Sequence, residues 1–238
     1  MNCKPTDRLT WIAALLLAFA AGCGGSDETT PAPTEGNSET ASPQAAGQLP
    51  KPAAPQADPE SAAFPRVEFE TSAGTFTVKL RRERAPRTVE NFLAYVDQGF
   101  YNGTIFHELA PGYAVVGGGY AEEDGQIVEK TALVAIRNEA ANGLSNKRGT
   151  IAMAREEKDA DSARCQFFFN LRDNLDLDYA KEEENVPVWQ TAGYCAFGEV
   201  EGDGLRILDE IAQQPTGSRN GMDRVPLKPI TIIRARRL

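Results

Sequence analysis

Residues 106–119 of the chain read FHELAPGYAVVGGG. Two apolar-rich runs flank Pro111 and Gly112, and this pair is typical of a tight turn because proline fixes φ and glycine accepts a positive φ. The stretch therefore predicts two short strands joined at Pro111-Gly112. It also contains the chain's only histidine, His107, next to the carboxylate Glu108, so it is the first place to look for a functional site.

The elements around this stretch are mostly strands. Alternating apolar residues predict a hairpin around residues 72–74, and further strands are predicted at 149–154, 165–170, 193–200 and 230–235. Apolar residues at helical spacing predict helices at about 86–98 and 205–213. Residues 120–130 are expected to form a polar loop, and residues 173–192 a surface excursion. Strands outnumber helices and do not alternate with them, which favours a mainly β barrel or sandwich with two helices at its ends.

The first 63 residues are predicted to lie outside this domain. An apolar run at residues 9–21 follows Lys4 and Arg8, as in a secretory signal peptide. The run ends in Ala-Ala-Gly-Cys at residues 20–23, which resembles the lipobox of bacterial lipoproteins. We therefore expect a signal peptide at 1–22, a lipidated Cys23 with a disordered tether rich in Pro, Ala and Glu at 23–63, and one domain at 64–238. The alternative is an ordinary signal peptide cut near Ala21, which leaves Cys23 free.

Composition excludes several classes of function. The formal net charge is -9 without a basic stripe, which argues against nucleic-acid binding. His107 has no second histidine or cysteine pair close to it in sequence, so no metal site is expected. The glycines at 117–119 lack the Gly-Lys-Ser/Thr ending of a phosphate loop. Cys165 and Cys195 could form a disulfide in an exported protein, and the sequence leaves this open.

Many linked motifs along the domain resemble the bacterial branch of the cyclophilin family. The resemblance runs from about Val67 to Ile233 and implies a closed eight-stranded antiparallel barrel capped by two α-helices. It also implies peptidyl-prolyl cis-trans isomerase activity on X-Pro bonds of other proteins, without a cofactor or metal. The matching segments are residues 92–93 (FL), 100–107 (FYNGTIFH), 117–119 (GGG), 138–140 (NEA), 142–144 (NGL), 148–155 (RGTIAMAR), 166–168 (QFF) and 193–200 (GYCAFGEV).

Rotation about an X-Pro amide must overcome a barrier of about 20 kcal/mol, set by amide resonance. A catalyst needs an apolar pocket for the proline ring, groups that hold the neighbouring backbone, and a donor that stabilises the twisted amide. The resemblance assigns the substrate backbone to Gln166 and the ring pocket to Phe168. It assigns further substrate contacts to Tyr113, Met153, Ala154, Leu177 and Tyr194. Strand alternation directs Phe167 and Phe169 to the core and leaves Phe168 facing the pocket.

The chain departs from the family pattern at the catalytic arginine, whose position is occupied by Glu108. Three further pocket positions differ from the pattern and carry Ala114, Val116 and Asp176. An exposed glutamate is ionised at neutral pH and cannot donate a hydrogen bond to the prolyl nitrogen. Either Arg155 or Arg164 could supply a replacement cation, or could pair with Glu108 instead.

Two functions remain open from the sequence. The first is a prolyl isomerase that acts on exported proteins, with an activity that Glu108 is expected to weaken. The alternative is a non-catalytic cyclophilin-fold module that binds proline-containing segments. A scaffold without proline binding is a third, weaker interpretation, because Gln166, Phe168 and Met153 are retained. We expect a monomeric domain held by its lipid anchor in the cell envelope, at the outer rather than the inner membrane because Gly24 replaces the aspartate that signals inner-membrane retention.

Overall fold

Most strands belong to one antiparallel sheet in the computed structural model, which describes residues 63–181 and 184–238. The sheet order is β11-β1-β2-β8-β6-β7-β4-β3, with β5 beside β4, and β9 and β10 form a separate hairpin. The predicted signal peptide, Cys23 and nearly all of the tether lie outside the described residues. The strands are β1 (Arg66–Thr71), β2 (Gly74–Leu80), β3 (Thr104–Ala110), β4 (Ala114–Glu123), β5 (Gln126–Glu129), β6 (Thr150–Met153), β7 (Phe167–Asn170), β8 (Ala196–Glu201), β9 (Thr216–Arg219), β10 (Met222–Pro226) and β11 (Ile232–Arg237).

The two ends of the sheet, β3 and β11, come together and nearly close a barrel. Ile105 forms an isolated antiparallel bridge with Thr231. The amide of Gly103 donates to the carbonyl of Ile232 at 2.8 Å, and the amide of Phe106 donates to that of Ile230 at 2.9 Å. These bonds leave few unpaired edge groups, which is the advantage of a closed sheet. The predicted fold class, an eight-stranded antiparallel barrel, is confirmed.

Two helices of the predicted lengths pack against the barrel, α1 (Pro86–Asp97) and α3 (Gly204–Ala212). Proline begins α1, where its missing N–H is no loss. Ala85 at the N-cap has no side-chain acceptor for the free amides of the first turn. The carboxylate of Glu139 caps the helix instead, accepting from the Thr88 amide and the Thr88 hydroxyl, both at 2.8 Å. A third helix, α2 (Val188–Thr191), is short, and 3₁₀ turns occupy Ala140–Asn142 and Leu175–Leu177.

The barrel interior is filled by aromatic rings. Phe69 lies 5.7 Å from Phe167 and 6.0 Å from Phe169, measured between ring centroids. Phe92 of α1 contacts the Phe167 ring edge-on at 5.8 Å, so the helix covers one end of this aromatic core. Each such pair contributes about 0.5–1.5 kcal/mol beyond the area that it buries.

The turn predicted at Pro111-Gly112 is confirmed, because Gly112 has φ of +66° and the amide of Tyr113 donates to the carbonyl of Ala110. The polar loop predicted for residues 120–130 is wrong. The chain there forms a hairpin, in which Asp124 and Gly125 both have positive φ. Asn220 and Gly221 repeat this geometry between β9 and β10. Asp-Gly and Asn-Gly are typical of such turns, so both hairpins could have been predicted from these dipeptides in the sequence.

Residues 173–192 are only partly a surface excursion. Asn174 and Leu177 are buried, although Asp176 between them is exposed. No helix in the described part of the chain has the length and apolar character to cross a bilayer.

His107 on β3 is buried beside the ring of Tyr120, with ring centroids 4.7 Å apart. Burial lowers the pKa of His107 from 6.5 to about 4, against a smaller opposite effect of its bond to the Ile105 backbone. Its Nδ1 has no hydrogen-bond partner among the described residues. The side chain is therefore a neutral structural group and not a catalytic one.

This burial predicts acid sensitivity. The unfolded chain binds the histidine proton before the folded one, so the stabilisation from His107 is present above pH 6.5 and is lost as pH falls toward 4. Urea unfolding of the parent and of His107→Gln at pH 7 and pH 4.5 should show that the parent loses roughly 2–3 kcal/mol more than the variant over this interval. Equal losses in both proteins would contradict a buried neutral histidine.

Candidate functional site

The candidate site lies on the outer face of the barrel wall, where β7 separates two apolar clusters. Phe167 and Phe169 point into the barrel core, whereas Phe168 between them packs into a second cluster on the opposite face. Strand geometry requires this, since successive side chains point to opposite faces. We call this second group the outer cluster; it consists of Ala114, Val116, Ala152, Phe168, Leu177, Tyr194 and Ala196, with Tyr113, Leu144 and Ala154 packed against it.

Buried asparagines hold the wall of the outer cluster in place. The side-chain amide of Asn146 donates to the carbonyls of Leu177 and Tyr194, both at 3.1 Å. The Tyr194 amide donates to the Leu177 carbonyl at 2.8 Å, so these two wall residues are tied to each other. The Tyr194 ring then meets the Phe168 ring edge-on, with centroids 5.8 Å apart. Sequence reasoning missed Asn146, since an isolated asparagine gives no signal of such a bridging role.

Tyr113 is fixed at its main chain by a related network. Its carbonyl accepts from the Leu171 amide at 2.9 Å and from the Asn174 side-chain amide at 3.1 Å. Asn174 in turn accepts from Arg172 Nε at 2.7 Å. The guanidinium carbon of Arg172 lies 4.8 Å from the centroid of the Tyr113 ring, within cation–π range. Arg172 therefore borders the site, although the sequence analysis did not identify it.

The expectation of an exposed carboxylate at position 108 is wrong. Glu108 is only 6% exposed and forms a hydrogen-bonded ion pair with Arg224 of β10. Neither Arg155 nor Arg164 takes this place. Burial raises the pKa of Glu108, and the contact with Arg224 opposes that effect. The position of the family arginine is thus occupied by a partly buried ion pair. Its two members, Glu108 of β3 and Arg224 of β10, are far apart in the sequence.

Arg155 is bound to backbone and does not reach into the outer cluster as a free cation. Its Nε donates to the Gly193 carbonyl at 3.0 Å, and its two terminal nitrogens donate to the carbonyls of Glu156, Glu157 and Trp189 at 2.8–2.9 Å. Its guanidinium carbon lies 4.6 Å from the centroid of the Tyr194 ring. These contacts make it a structural support for the Tyr194 wall, which differs from both expected roles, a rescue cation and a solvated or ion-paired side chain.

Met153 lies apart from the other predicted substrate contacts. Its side chain belongs to the barrel core cluster, and not to the outer cluster. The reason is the same alternation along β6, in which Ala152 faces outward and Met153 inward. The structure therefore brings together Phe168, Leu177, Tyr194, Tyr113 and Ala154, and leaves Met153 out.

Gln166 borders an adjacent cavity of about 370 Å³. A Cβ at Gly119 would lie 2.5 Å from Cγ of Gln166, so only glycine leaves room for this side chain. Ala154 lines this cavity and also packs against the outer cluster, so the two regions are adjacent. The cavity is lined by Glu129, Lys130, Thr131, Ala132, Ala154, Arg155, Glu156, Ser162, Arg164, Cys165 and Gln166.

Neither metal nor thiol chemistry is supported at the site. Within residues 63–181 and 184–238, no cluster of His, Cys, Asp and Glu could hold a metal ion. Cys165 and Cys195 are both buried and unbridged. Burial raises the pKa of Cys165 to about 11 and that of Cys195 to about 12, so both stay protonated and unreactive.

Comparisons with known proteins agree with this architecture. The family model described as cyclophilin type peptidyl-prolyl cis-trans isomerase/CLD matches residues 66–237. Peptidyl-prolyl cis-trans isomerase cyp18 of Streptomyces antibioticus is 43% identical over 70% of this chain and 94% of its own length. Peptidyl-prolyl cis-trans isomerase B of Escherichia coli is 43% identical over 70% of this chain and 95% of its own length.

A solved structure supports the fold independently. The crystal structure of a cyclophilin type peptidyl-prolyl cis-trans isomerase of Cryptosporidium parvum superposes with a TM-score of 0.55. It covers 74% of this chain and 98% of its own chain, at 22% sequence identity.

The Glu108–Arg224 pair predicts a site-specific stability effect. Arg224→Gln leaves a carboxylate that is 92% buried without its ion-pair partner, since the side chain of Glu108 is 8% exposed. We expect a loss of roughly 1–3 kcal/mol at pH 7, smaller at acidic pH where Glu108 is neutral. Arg236→Gln, which breaks the exposed Arg236–Glu68 pair, is the matched control and should cost about 0–1 kcal/mol. Urea unfolding measures both, and equal costs would contradict a desolvated pair at position 108.

Proposed function

The chain belongs to the cyclophilin-type peptidyl-prolyl cis-trans isomerase family, and from that premise we propose that it isomerises X-Pro bonds of exported proteins at the outer cluster. The members that it resembles are named enzymes, so the chain is a peptidyl-prolyl cis-trans isomerase by homology. What remains to be argued is where its own residues bind proline, how Glu108 affects turnover, and where the protein acts.

The observation that carries the proposal is the apolar cluster on the outer wall of the barrel. A proline ring is apolar, as are Phe168, Leu177 and Tyr113. Phe168 and Leu177 are buried in the free chain, so a substrate first meets the half-buried rim of the cluster, formed by Tyr113, Leu144 and Ala154. Binding there removes apolar area from water, which favours association at about 25 cal/mol per Å². Gln166, which lines the adjacent cavity, would hold the substrate backbone. In this proposal, the outer cluster binds the proline ring, and the cavity accommodates the residue next to proline.

Binding of the proline ring does not by itself accelerate rotation about the X-Pro bond. A group that binds the cis, trans and twisted forms equally lowers none of the barriers between them. The family arginine supplies that preference elsewhere, whereas here position 108 contributes a carboxylate bound to Arg224. We therefore propose that the chain turns over proline substrates more slowly than a variant with arginine at this position.

Exchange spectroscopy on a short peptide with one Ala-Pro bond tests this proposal. The purified chain without residues 1–23 should accelerate cis-trans exchange. The double change Glu108→Arg with Arg224→Gln should raise the rate about tenfold or more, because a placed cationic donor acts mainly on the transition state. Glu108→Gln with Arg224→Gln removes the same ion pair without adding arginine and is the matched control.

The outcomes separate the candidates. Line broadening from binding without faster exchange in the parent would favour a non-catalytic binding module. Equal rates in the arginine variant and its control would show that position 108 does not limit turnover.

We also propose that the protein is exported and held at the cell envelope, as a monomer, by a lipid on Cys23. This part rests on the sequence alone, on the apolar run at 9–21 and the Ala-Ala-Gly-Cys ending, since residues 1–62 lie outside the described residues. More than one acyl chain on a cysteine gives stable anchoring, whereas a single chain binds marginally.

A cysteine replacement tests the anchor. Cys23→Ala should move the protein from the membrane fraction to the soluble fraction and abolish incorporation of labelled palmitate. Cys3→Ala, a cysteine change inside the predicted signal peptide, should alter neither. If Cys23→Ala still fractionates with membranes and still incorporates the label, the lipid anchor is placed incorrectly.

A further inference from the structure

The outer cluster contains a buried hydrogen-bond donor that the fold does not use. The hydroxyl oxygen of Tyr113 is shielded from solvent and has no hydrogen-bond partner among the described residues. An unsatisfied buried hydroxyl costs about 1–3 kcal/mol, so most proteins pair such groups. A ligand that accepts a hydrogen bond from this hydroxyl would remove the cost. The Tyr113 hydroxyl is therefore a candidate contact for a ligand.

The position of this hydroxyl is well defined. The Tyr113 ring packs against the outer cluster, and its backbone is held by the bonds from Leu171 and Asn174. The guanidinium carbon of Arg172 lies 4.8 Å from the centroid of the same ring, so the ring is at the edge of the proposed proline site. The hydroxyl is shielded in the free chain, so a substrate reaches it only when the half-buried ring turns outward.

The hydroxyl is also in the right state to donate. Burial, assisted by the negative charge of Asp176, raises the pKa of Tyr113 to about 12. The group is thus a neutral phenol across the physiological range and always has a proton to offer. Of the two arginines expected as replacement donors, Arg155 binds four carbonyls, and Arg164 lines the neighbouring cavity. Arg224 is also engaged, because it binds Glu108.

The reaction needs one such donor. As the X-Pro amide twists, its nitrogen becomes pyramidal, and the lone pair that resonance delocalises in the planar forms becomes localised on it. A hydrogen bond to this lone pair is made only near the transition state, so it lowers the barrier without tightening ground-state binding. No proton is transferred, and no bond other than the hydrogen bond forms or breaks.

We propose that the Tyr113 hydroxyl donates a hydrogen bond to the twisted prolyl nitrogen and takes the place of the missing arginine as the catalytic donor. This inference rests on the proposed isomerase function and names the residue that carries its chemistry. Tyr113 has a dual role: its ring forms part of the proline pocket and its hydroxyl acts on the reacting amide.

The test is a cycle of phenylalanine replacements, assayed by exchange spectroscopy on the Ala-Pro peptide with the chain lacking residues 1–23. Tyr113→Phe removes only the hydroxyl and keeps the aromatic ring. It should lower kcat about tenfold, the effect of one neutral hydrogen bond, and leave peptide affinity within about twofold. Tyr179→Phe, which removes the hydroxyl of an exposed tyrosine outside the cluster, should leave kcat unchanged.

A second background separates catalysis from packing. With Glu108→Arg and Arg224→Gln in place, an arginine supplies the donor, so Tyr113→Phe should cost less than about twofold in kcat. A packing defect would lower kcat in both backgrounds alike.

The outcomes distinguish this inference from the function that it rests on. If the parent turns over the peptide and Tyr113→Phe keeps more than half of its kcat, the role of the hydroxyl is overturned and the isomerase function stands. A similar loss in both backgrounds also overturns it. If the parent binds the peptide without faster exchange, the isomerase function itself fails and Tyr113 has no reaction to serve.

Discussion

The alternation of side chains along β7 is the constraint on which the molecule depends. Three phenylalanines in a row cannot share one side of a strand, so Phe167 and Phe169 enter the barrel and Phe168 is left on the outer wall. The inner pair joins the aromatic core that closes the barrel. The outer ring forms the floor of the cluster to which we assign proline binding. The strand that supplies the core with Phe167 and Phe169 therefore also supplies the site with Phe168.

The outer wall is completed by segments with little regular structure. Leu177 lies in a 3₁₀ turn and Tyr194 precedes β8, and the buried side chain of Asn146 binds the carbonyls of both. Such side-chain to backbone bonds satisfy carbonyls that no strand partner could reach. This arrangement allows a rigid barrel to present a shaped surface made of loops, which is a common way to position binding residues.

Much of this could be predicted from the sequence. Periodicity located α1, α3 and the hairpin at Pro111-Gly112, and the cyclophilin resemblance supplied the barrel. The partner of Glu108 could not be predicted, because Arg224 lies 116 positions away on a hairpin whose Asn-Gly turn went unrecognised. Residue identity also misled at Met153, which matches a family motif but faces the core. For Glu108, the sequence does not reveal which strand lies next to β3. For Met153, the motif does not reveal which face of the sheet the side chain occupies.

We propose that the proline ring of a substrate binds against Phe168 at the outer face of β7. The most direct measurement is the set of intermolecular nuclear Overhauser effects between a labelled chain and an unlabelled Ala-Pro peptide. We expect contacts from the proline ring protons to Phe168, Leu177 and the ring of Tyr113. Contacts confined to the β9–β10 hairpin or to other surfaces away from β7, with none to Phe168, would contradict it.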